Sequence, residues 1–243
     1  AYEIYQCDWS SDVCSSDLIA ESLYKSMPYD HQRDFAPISL IGKTPNVLVV
    51  HPSMPTHTIK EFMAYAKANP GKLSYGTSAA GSSQQLAMEY FRLSAKIDLV
   101  SIPYKGAPQA LADVMGGQIP VSVQSVPAVL PVVQAGRVRA LAVTSLKRLS
   151  QLPDVPTVHE TVLPGFEVSS WFGVCVPSAT PKPVLEKIHT DLLAVLRQPD
   201  LEQKFNDLVI EIMPMSRDEF AKFLRAEIAR WARVIKEAGI PQQ

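Results

Sequence analysis

Residues able to do chemistry are few in this 243-residue chain, and only one group of them shares a compact loop. Lys72-Leu-Ser-Tyr-Gly-Thr-Ser-Ala-Ala-Gly-Ser-Ser-Gln-Gln-Leu86 reads as a short strand (Leu73 to Gly76), a turn of small residues, and a helix opening at Ser82 or Ser83. Ser82 followed three residues later by Gln85 has capping-box spacing. A helix start presents unpaired backbone N–H groups and a partial positive charge, and small residues let an anion approach them. The spacing Gly76-x4-Gly81 copies the first part of a phosphate-binding loop, but Ser82 and Ser83 stand where that loop continues with Lys and then Ser or Thr. Without the lysine, a carboxylate suits the loop better than a triphosphate does. A strand-to-helix turn that holds no ligand is the competing reading.

Other chemical patterns are weaker. Ser22-Leu-Tyr-Lys25 has the S-x-x-K spacing of acyl-serine enzymes, and Lys43-Thr44 echoes their K-T-G, but no S-D-N follows in order. Gly76-Thr-Ser-Ala-Ala80 misses the nucleophile elbow because Ala80 occupies the second glycine position. A serine acyl enzyme using Ser22 and Lys25, or Ser78, is therefore the rival reading. His51, His57, His159 and His189 form no metal-binding pair, and Asp154 and Glu160 are not spaced for acid–base work. Cys7 and Cys14 fit no zinc pattern, while Cys175 sits in an apolar strand and reads as a small core residue. No dinucleotide loop is present. The expectation is no catalytic residue, no metal and no cofactor. Binding loops without catalytic groups favour a receptor over an enzyme.

Composition agrees with a globular chain: 47% hydrophobic, 19% charged, formal net charge -1. That balance carries no footprint for nucleic acid. No apolar run approaches the roughly 18 residues of a membrane span. The first residues also lack the basic start and apolar core of a secretory signal. Residues 1–18 have no regular period and repeat Ser-Ser-Asp. Asp8-Trp-Ser-Ser-Asp-Val-Cys-Ser-Ser-Asp-Leu18 resembles translated sequencing-adapter DNA, so this stretch is read as non-native or disordered.

From residue 19 the elements alternate. Asp34 to Ile41 is extended and Asn46 to His51 is a buried strand. Thr58-Ile-Lys-Glu61 opens a helix with Ile59, Phe62 and Ala66 inward. After the Gly76–Ser83 loop come a strand at Leu99, a helix from Ala107 to Gly116, and a strand from Ile119 to Val123 in which Pro120 marks an edge or a start. A short helix follows Pro127, then the strand Val138 to Val143. Residues 144–166 are a proline-stiffened connection, and Val168 to Val176 is a strand. A helix capped by Thr180 carries Val184, Ile188, Leu192 and Leu196 on one face. A shorter helix after Pro199 leads to the strand Val209 to Met213. Ser216-Arg-Asp-Glu219 opens a last helix with Phe220, Leu224, Ile228, Trp231 and Ile235 inward. Alternating strands and helices predict an α/β fold with a largely parallel sheet, its ligand beyond the carboxyl ends of strands.

Several ordered stretches resemble one family. They are Asp34-Phe-Ala-Pro-Ile-Ser with Asn46-Val-Leu-Val-Val, Tyr104-Lys-Gly-Ala-Pro-Gln-Ala-Leu with Gly116-Gly-Gln118, Arg139-Ala-Leu-Ala-Val-Thr-Ser with Leu152-Pro-Asp-Val-Pro-Thr157, and Pro164-Gly-Phe-Glu-Val-Ser-Ser-Trp-Phe-Gly173. Together they resemble the extracytoplasmic receptors of tripartite tricarboxylate transporters, the Bug-type receptors, from about Leu23 onward. The resemblance implies a type II periplasmic binding fold, two α/β lobes closing over a cleft. It further implies a periplasmic, monomeric protein that delivers a small carboxylate or amino acid to membrane transporter subunits. A sensory module serving a signalling partner is a further alternative.

On this reading residues 19–48 and 169–243 form lobe 1, residues 49–168 form lobe 2, and lobe 1 is incomplete, lacking the family's N-terminal ligand loop. The ligand residues implied are Thr77, Ser78, Gly81, Ser82, Ser83 and Gln85 in the loop and helix start, Tyr104, Lys105 and Gly106, and Gln124 with Ser125. Trp171 and Phe172 support the hinge. Two departures stand out. Gln85 occupies a position where the family often has His, and Pro120 with Gln124-Ser125 replaces the family's Asp and Asp-Asn.

Overall fold

The computed structural model describes residues 12–14, 29–77 and 82–240. In chain order the elements are β1 (Asp12–Cys14), α1 (His31–Asp34), β2 (Phe35–Val50), α2 (Ile59–Ala68), β3 (Ser74–Thr77), α3 (Ser83–Ala95), β4 (Val100–Pro103), α4 (Ala107–Met115) and β5 (Val121–Ser125). They continue with α5 (Val126–Gln134), β6 (Arg139–Val143), α6 (Val158–Thr161), β7 (Ser169–Pro177), α7 (Lys182–Leu196), α8 (Pro199–Asp207), β8 (Glu211–Ile212) and α9 (Arg217–Ala238).

The expected extended segment at 34–41 and the strand at 46–51 are one strand, the 16-residue β2. Phe35–Pro45 pairs antiparallel with β7, and Asn46–Val50 pairs antiparallel with β5 on one side and, from Val47, with β6 on the other. The strand continues through Pro45 because proline is compatible with extended backbone. The sheet is mixed and not largely parallel. Only β3 pairs in parallel, with β4 and β5, and every other ladder among the described residues is antiparallel. β3–α3–β4 is a crossover unit, which requires parallel strands. β2 instead runs against each strand it touches.

Apolar alternation along β2 explains its continuous hydrophobic run. Leu48 and Val50 join a core with Tyr75, Leu86, Phe91 and Trp231 on the α3 side. Val47 and Val49 join Leu111, Val126 and Val143 on the opposite side. A strand covered on both faces has no polar alternation to show. At the other end of β2, Leu40 packs with Trp171, Cys175 and Phe220 of β7 and α9.

Several local expectations shift by a residue or two. Pro120 immediately precedes β5, with its carbonyl accepting the His51 N–H at 3.0 Å, and β5 lies inside the sheet between β2 and β3. Pro181, not Thr180, caps α7; Ile188, Leu192 and Leu196 face inward as expected, while Leu185 (5% exposed) takes the place of Val184 (45%). Ser216 and Glu219 form the full capping box of α9. At α2, Thr58 accepts from Glu61 N–H, but the Glu61 carboxylate turns to the N–H of His57. Within residues 1–18, Asp12–Cys14 pairs with β7. A sheet edge offers unpaired N–H and C=O groups that an extended segment can match.

Two buried polar groups join the parts. The Thr144 hydroxyl accepts the Asn46 N–H at 2.9 Å and also lies against the Val168 carbonyl, so it links β2 to the segment entering β7. Backbone bonds reinforce it, from Thr144 N–H to Asn46 O at 2.8 Å and from Val168 N–H to Thr144 O at 3.1 Å. On α9, the Glu227 carboxylate accepts from both the Trp171 and Trp231 indole N–H groups, at 3.2 and 2.9 Å.

Thr144→Val keeps the side-chain shape and removes the hydroxyl. The buried Asn46 N–H then lacks its acceptor, and urea unfolding should show a loss of about 1–3 kcal/mol. An unchanged midpoint would mean that the backbone bonds suffice. Glu227→Leu strands two buried indole donors, at about 1–3 kcal/mol each by the same reasoning. Glu227→Gln retains an acceptor oxygen and should lose less; equal losses would assign the effect to charge.

Candidate functional site

α3 begins where the sequence places its start. The Ser82 side chain caps it by accepting the Gln85 N–H at 3.2 Å. Its position over the sheet is fixed from below. The Tyr75 phenol of β3 donates to the Glu89 carboxylate of α3, and Arg92 pairs with that carboxylate at 2.7 Å. Burial, then this hydrogen bond, pushes the Tyr75 phenol well above its ordinary value. The helix start is thereby held beyond the end of β3.

Register decides which side chains share the place where β2 changes partners. Residues opposite one another in a ladder lie on one face of the sheet, and alternate residues of a strand do too. Asn46 is opposite Ser125, and Leu48 opposite Val123. Thr44 is opposite Ser170. Leu48 and Val123 pack in the α3-side core with Tyr75 and Val121, so Thr44, Asn46, Ser125 and Thr77 belong to the same face. The Ser83 hydroxyl, at the first residue of α3, is 2.6 Å from the Ser170 hydroxyl. A run of neutral hydroxyls and amides thus extends from the α3 start across β7, β2 and β5.

Among the residues implied by resemblance, Thr77 and Ser125 lie on this face, Ser82 and Ser83 open α3, and Gln85 lies on its first turn. Thr77 is buried and its hydroxyl donates to Ile102 O at 3.4 Å. Ser78 and Gly81 lie outside the described residues, as do Ser22 and Lys25. Gln124 is buried on the opposite face, donating from Nε2 to the Ser122 hydroxyl at 2.8 Å. Tyr104 is on that face as well. Its phenol donates to Asp113 Oδ2 of α4 at 2.7 Å, and this bond holds its pKa up at about 12. Lys105 is exposed, and Gly106 is the N-cap of α4.

Gly76 has a packing reason of its own. A Cβ there would meet Ile119 Cδ1 at 2.6 Å and Ala110 Cβ at 2.9 Å, so a bare backbone lets α4 close on β3. Three further residues were missed by motif reading: Thr44, Asn46 and Ser170. Polar residues at alternate positions just before Leu48 were the available signal. No group of three metal-ligating side chains occurs among the described residues. The described residues at this place, Ser82, Ser83 and Ser170, offer hydrogen bonding to an anion from neutral groups.

Residues 11–240 match the family described as the tripartite tricarboxylate transporter family receptor. A protein from the tcbD–tcbE intergenic region of Pseudomonas sp. strain P51 is 36% identical over 227 residues, covering 93% of this chain and 68% of the relative. The chain therefore spans about two thirds of that relative's length. The structure of R. palustris Rpa4515 with adipate is 33% identical, with a TM-score of 0.85, covering 96% of this chain and 78% of that one. MatC from Rhodopseudomonas palustris, with bound malate, is 25% identical with a TM-score of 0.79, covering 92% and 78%. The α/β architecture is that of a type II periplasmic binding protein. This chain belongs to the tripartite tricarboxylate transporter receptor family.

Proposed function

We propose that this chain, a periplasmic solute-binding receptor and not an enzyme, captures a small dicarboxylate and delivers it to a tripartite tricarboxylate-type membrane transporter. The observation that carries the ligand class is the neutral hydroxyl run at the start of α3, Ser82 and Ser83 with Ser170. Backbone N–H groups at a helix start attract a carboxylate, and the serine hydroxyls add oriented donors. Relatives holding adipate and malate support that class.

In this reading one ligand carboxylate meets the segment 77–83. Ser125 and Gln85 line the approach. Gln124 and Tyr104 shape the sheet end from behind, and Lys105 and Gly106 lie at its rim. The partner change of β2 at Pro45 supports a division into lobes of residues 19–48 with 169–243 and residues 49–168. Closure of one upon the other would then bend the chain near Pro45 and Val168.

A thermal-melt panel of adipate, malate and other small carboxylates tests the reading on this chain. A ligand at 100 times its dissociation constant adds about 2.7 kcal/mol. Each kcal/mol moves the melting temperature of a chain this size by roughly 2–4 °C. At least one dicarboxylate should raise the melt, and Ser83→Ala should weaken its binding about 10- to 160-fold for one lost hydrogen bond to a charged group. A panel that moves nothing would overturn the proposal. Full affinity in Ser83→Ala would remove the hydroxyl run from the binding site.

A further inference from the structure

The strongest unused polar groups in the molecule lie beside the α3 start. Asn46 is completely buried, and neither its side-chain Oδ1 nor its Nδ2 has a hydrogen-bond partner. Thr44, two residues earlier on the same face and 5% exposed, has an unpartnered Oγ1. Buried side-chain amides normally have partners, and each exception needs a reason. The Asn46 backbone is not the reason, since its N–H and C=O are both taken up by Thr144. The unpaired atoms are those on the face shared with Ser125, Ser170 and Ser83.

We infer that Asn46 and Thr44 form a subsite that selects a dicarboxylate bearing a hydrogen-bond-donating substituent, a hydroxyl or an ammonium, beside one carboxylate. The inference rests on the dicarboxylate reading given above. An amide presents both a donor and an acceptor. An unsubstituted dicarboxylate offers acceptors only, so it can satisfy Asn46 Nδ2 and the Thr44 hydroxyl but leaves Asn46 Oδ1 unpaired. A neighbouring hydroxyl or ammonium supplies the missing donor. A site built around buried polar groups rejects the analogue that leaves one of them unmatched. Asn46 would thus read the substituent, while the α3 start holds the carboxylate.

The test is titration calorimetry of this chain with succinate, D- and L-malate, and aspartate, which share a four-carbon backbone and differ in the substituent. The wild type should bind at least one of the substituted acids about tenfold or more tighter than succinate, the scale expected when a buried acceptor is left unpaired. Asn46→Ala should bring that ratio to within about threefold, since the discriminating acceptor is gone. Thr44→Val, which keeps the shape of threonine, should weaken the substituted and plain acids together.

A purely structural role for Asn46 would lower all affinities alike and leave the ratio standing, which would overturn the inference. Equal wild-type binding of succinate and every substituted acid would overturn it as well, while leaving the dicarboxylate reading intact. Failure of the wild type to bind any dicarboxylate, adipate included, would remove both. Should Asn46→Ala not fold, the wild-type ratio and Thr44→Val decide.

Discussion

The longest strand of the sheet changes partners at one point, and one buried hydroxyl helps to hold it there. β2 takes part in four ladders, and at Asn46 it leaves β7 for β5 and, one residue on, β6. A strand that changes partners exposes backbone groups at the change, and buried backbone groups without partners are costly. Thr144 resolves this at the point where it arises. It takes the Asn46 N–H with its hydroxyl, the Asn46 carbonyl with its own N–H, and the Val168 N–H with its carbonyl. The two segments that cross the molecule are therefore held at one residue. Glu227 does the corresponding work on α9, joining Trp171 of the crossing strand to Trp231 of the helix.

That arrangement also explains why polar residues accumulate where they do. Ladder pairing beyond the crossing places Ser125 opposite Asn46, and pairing before it places Ser170 opposite Thr44. α3 is set above the same face by the buried Tyr75 and Glu89, with Arg92 closing on the carboxylate. The geometry of the helix start is thus inherited from core packing. Such sites are more precise than those built on loops alone, because rigid elements fix their donors.

Much of this was legible in the chain. Ser82, Thr58 and Ser216 announce helix starts because their hydroxyls answer a local need, an unpaired N–H two or three residues on. Trp231 and Phe220 declare a buried helix face by spacing alone. What stayed hidden was set by partners far away. Nothing near Pro45 distinguishes one long strand from two short ones, since proline is compatible with both. The antiparallel course of β2 against β5, β6 and β7 has no local signature either, because a strand buried on both faces loses its alternation. Asn46 looked like part of an apolar strand, and only its register opposite Ser125 shows that its side chain faces other polar groups. At α7 the packing takes Leu185 instead of Val184, although the spacing of Ile188, Leu192 and Leu196 holds.

Among the described residues, the groups at the proposed site beside the α3 start are neutral donors, where charge was the simpler option. A buried cation opposite a ligand carboxylate binds strongly, but both ions must lose their water, and the gain is offset by that cost. Hydroxyls and helix N–H groups cost less to keep dry while the site is empty, because neutral groups have smaller hydration energies than ions. They are also already oriented by the sheet and by Ser82. A receptor that must release its cargo to a transporter benefits from this balance. On the proposed reading its affinity would come from several modest hydrogen bonds, which would weaken together as the lobes part. An ion pair would hold on after the others had broken.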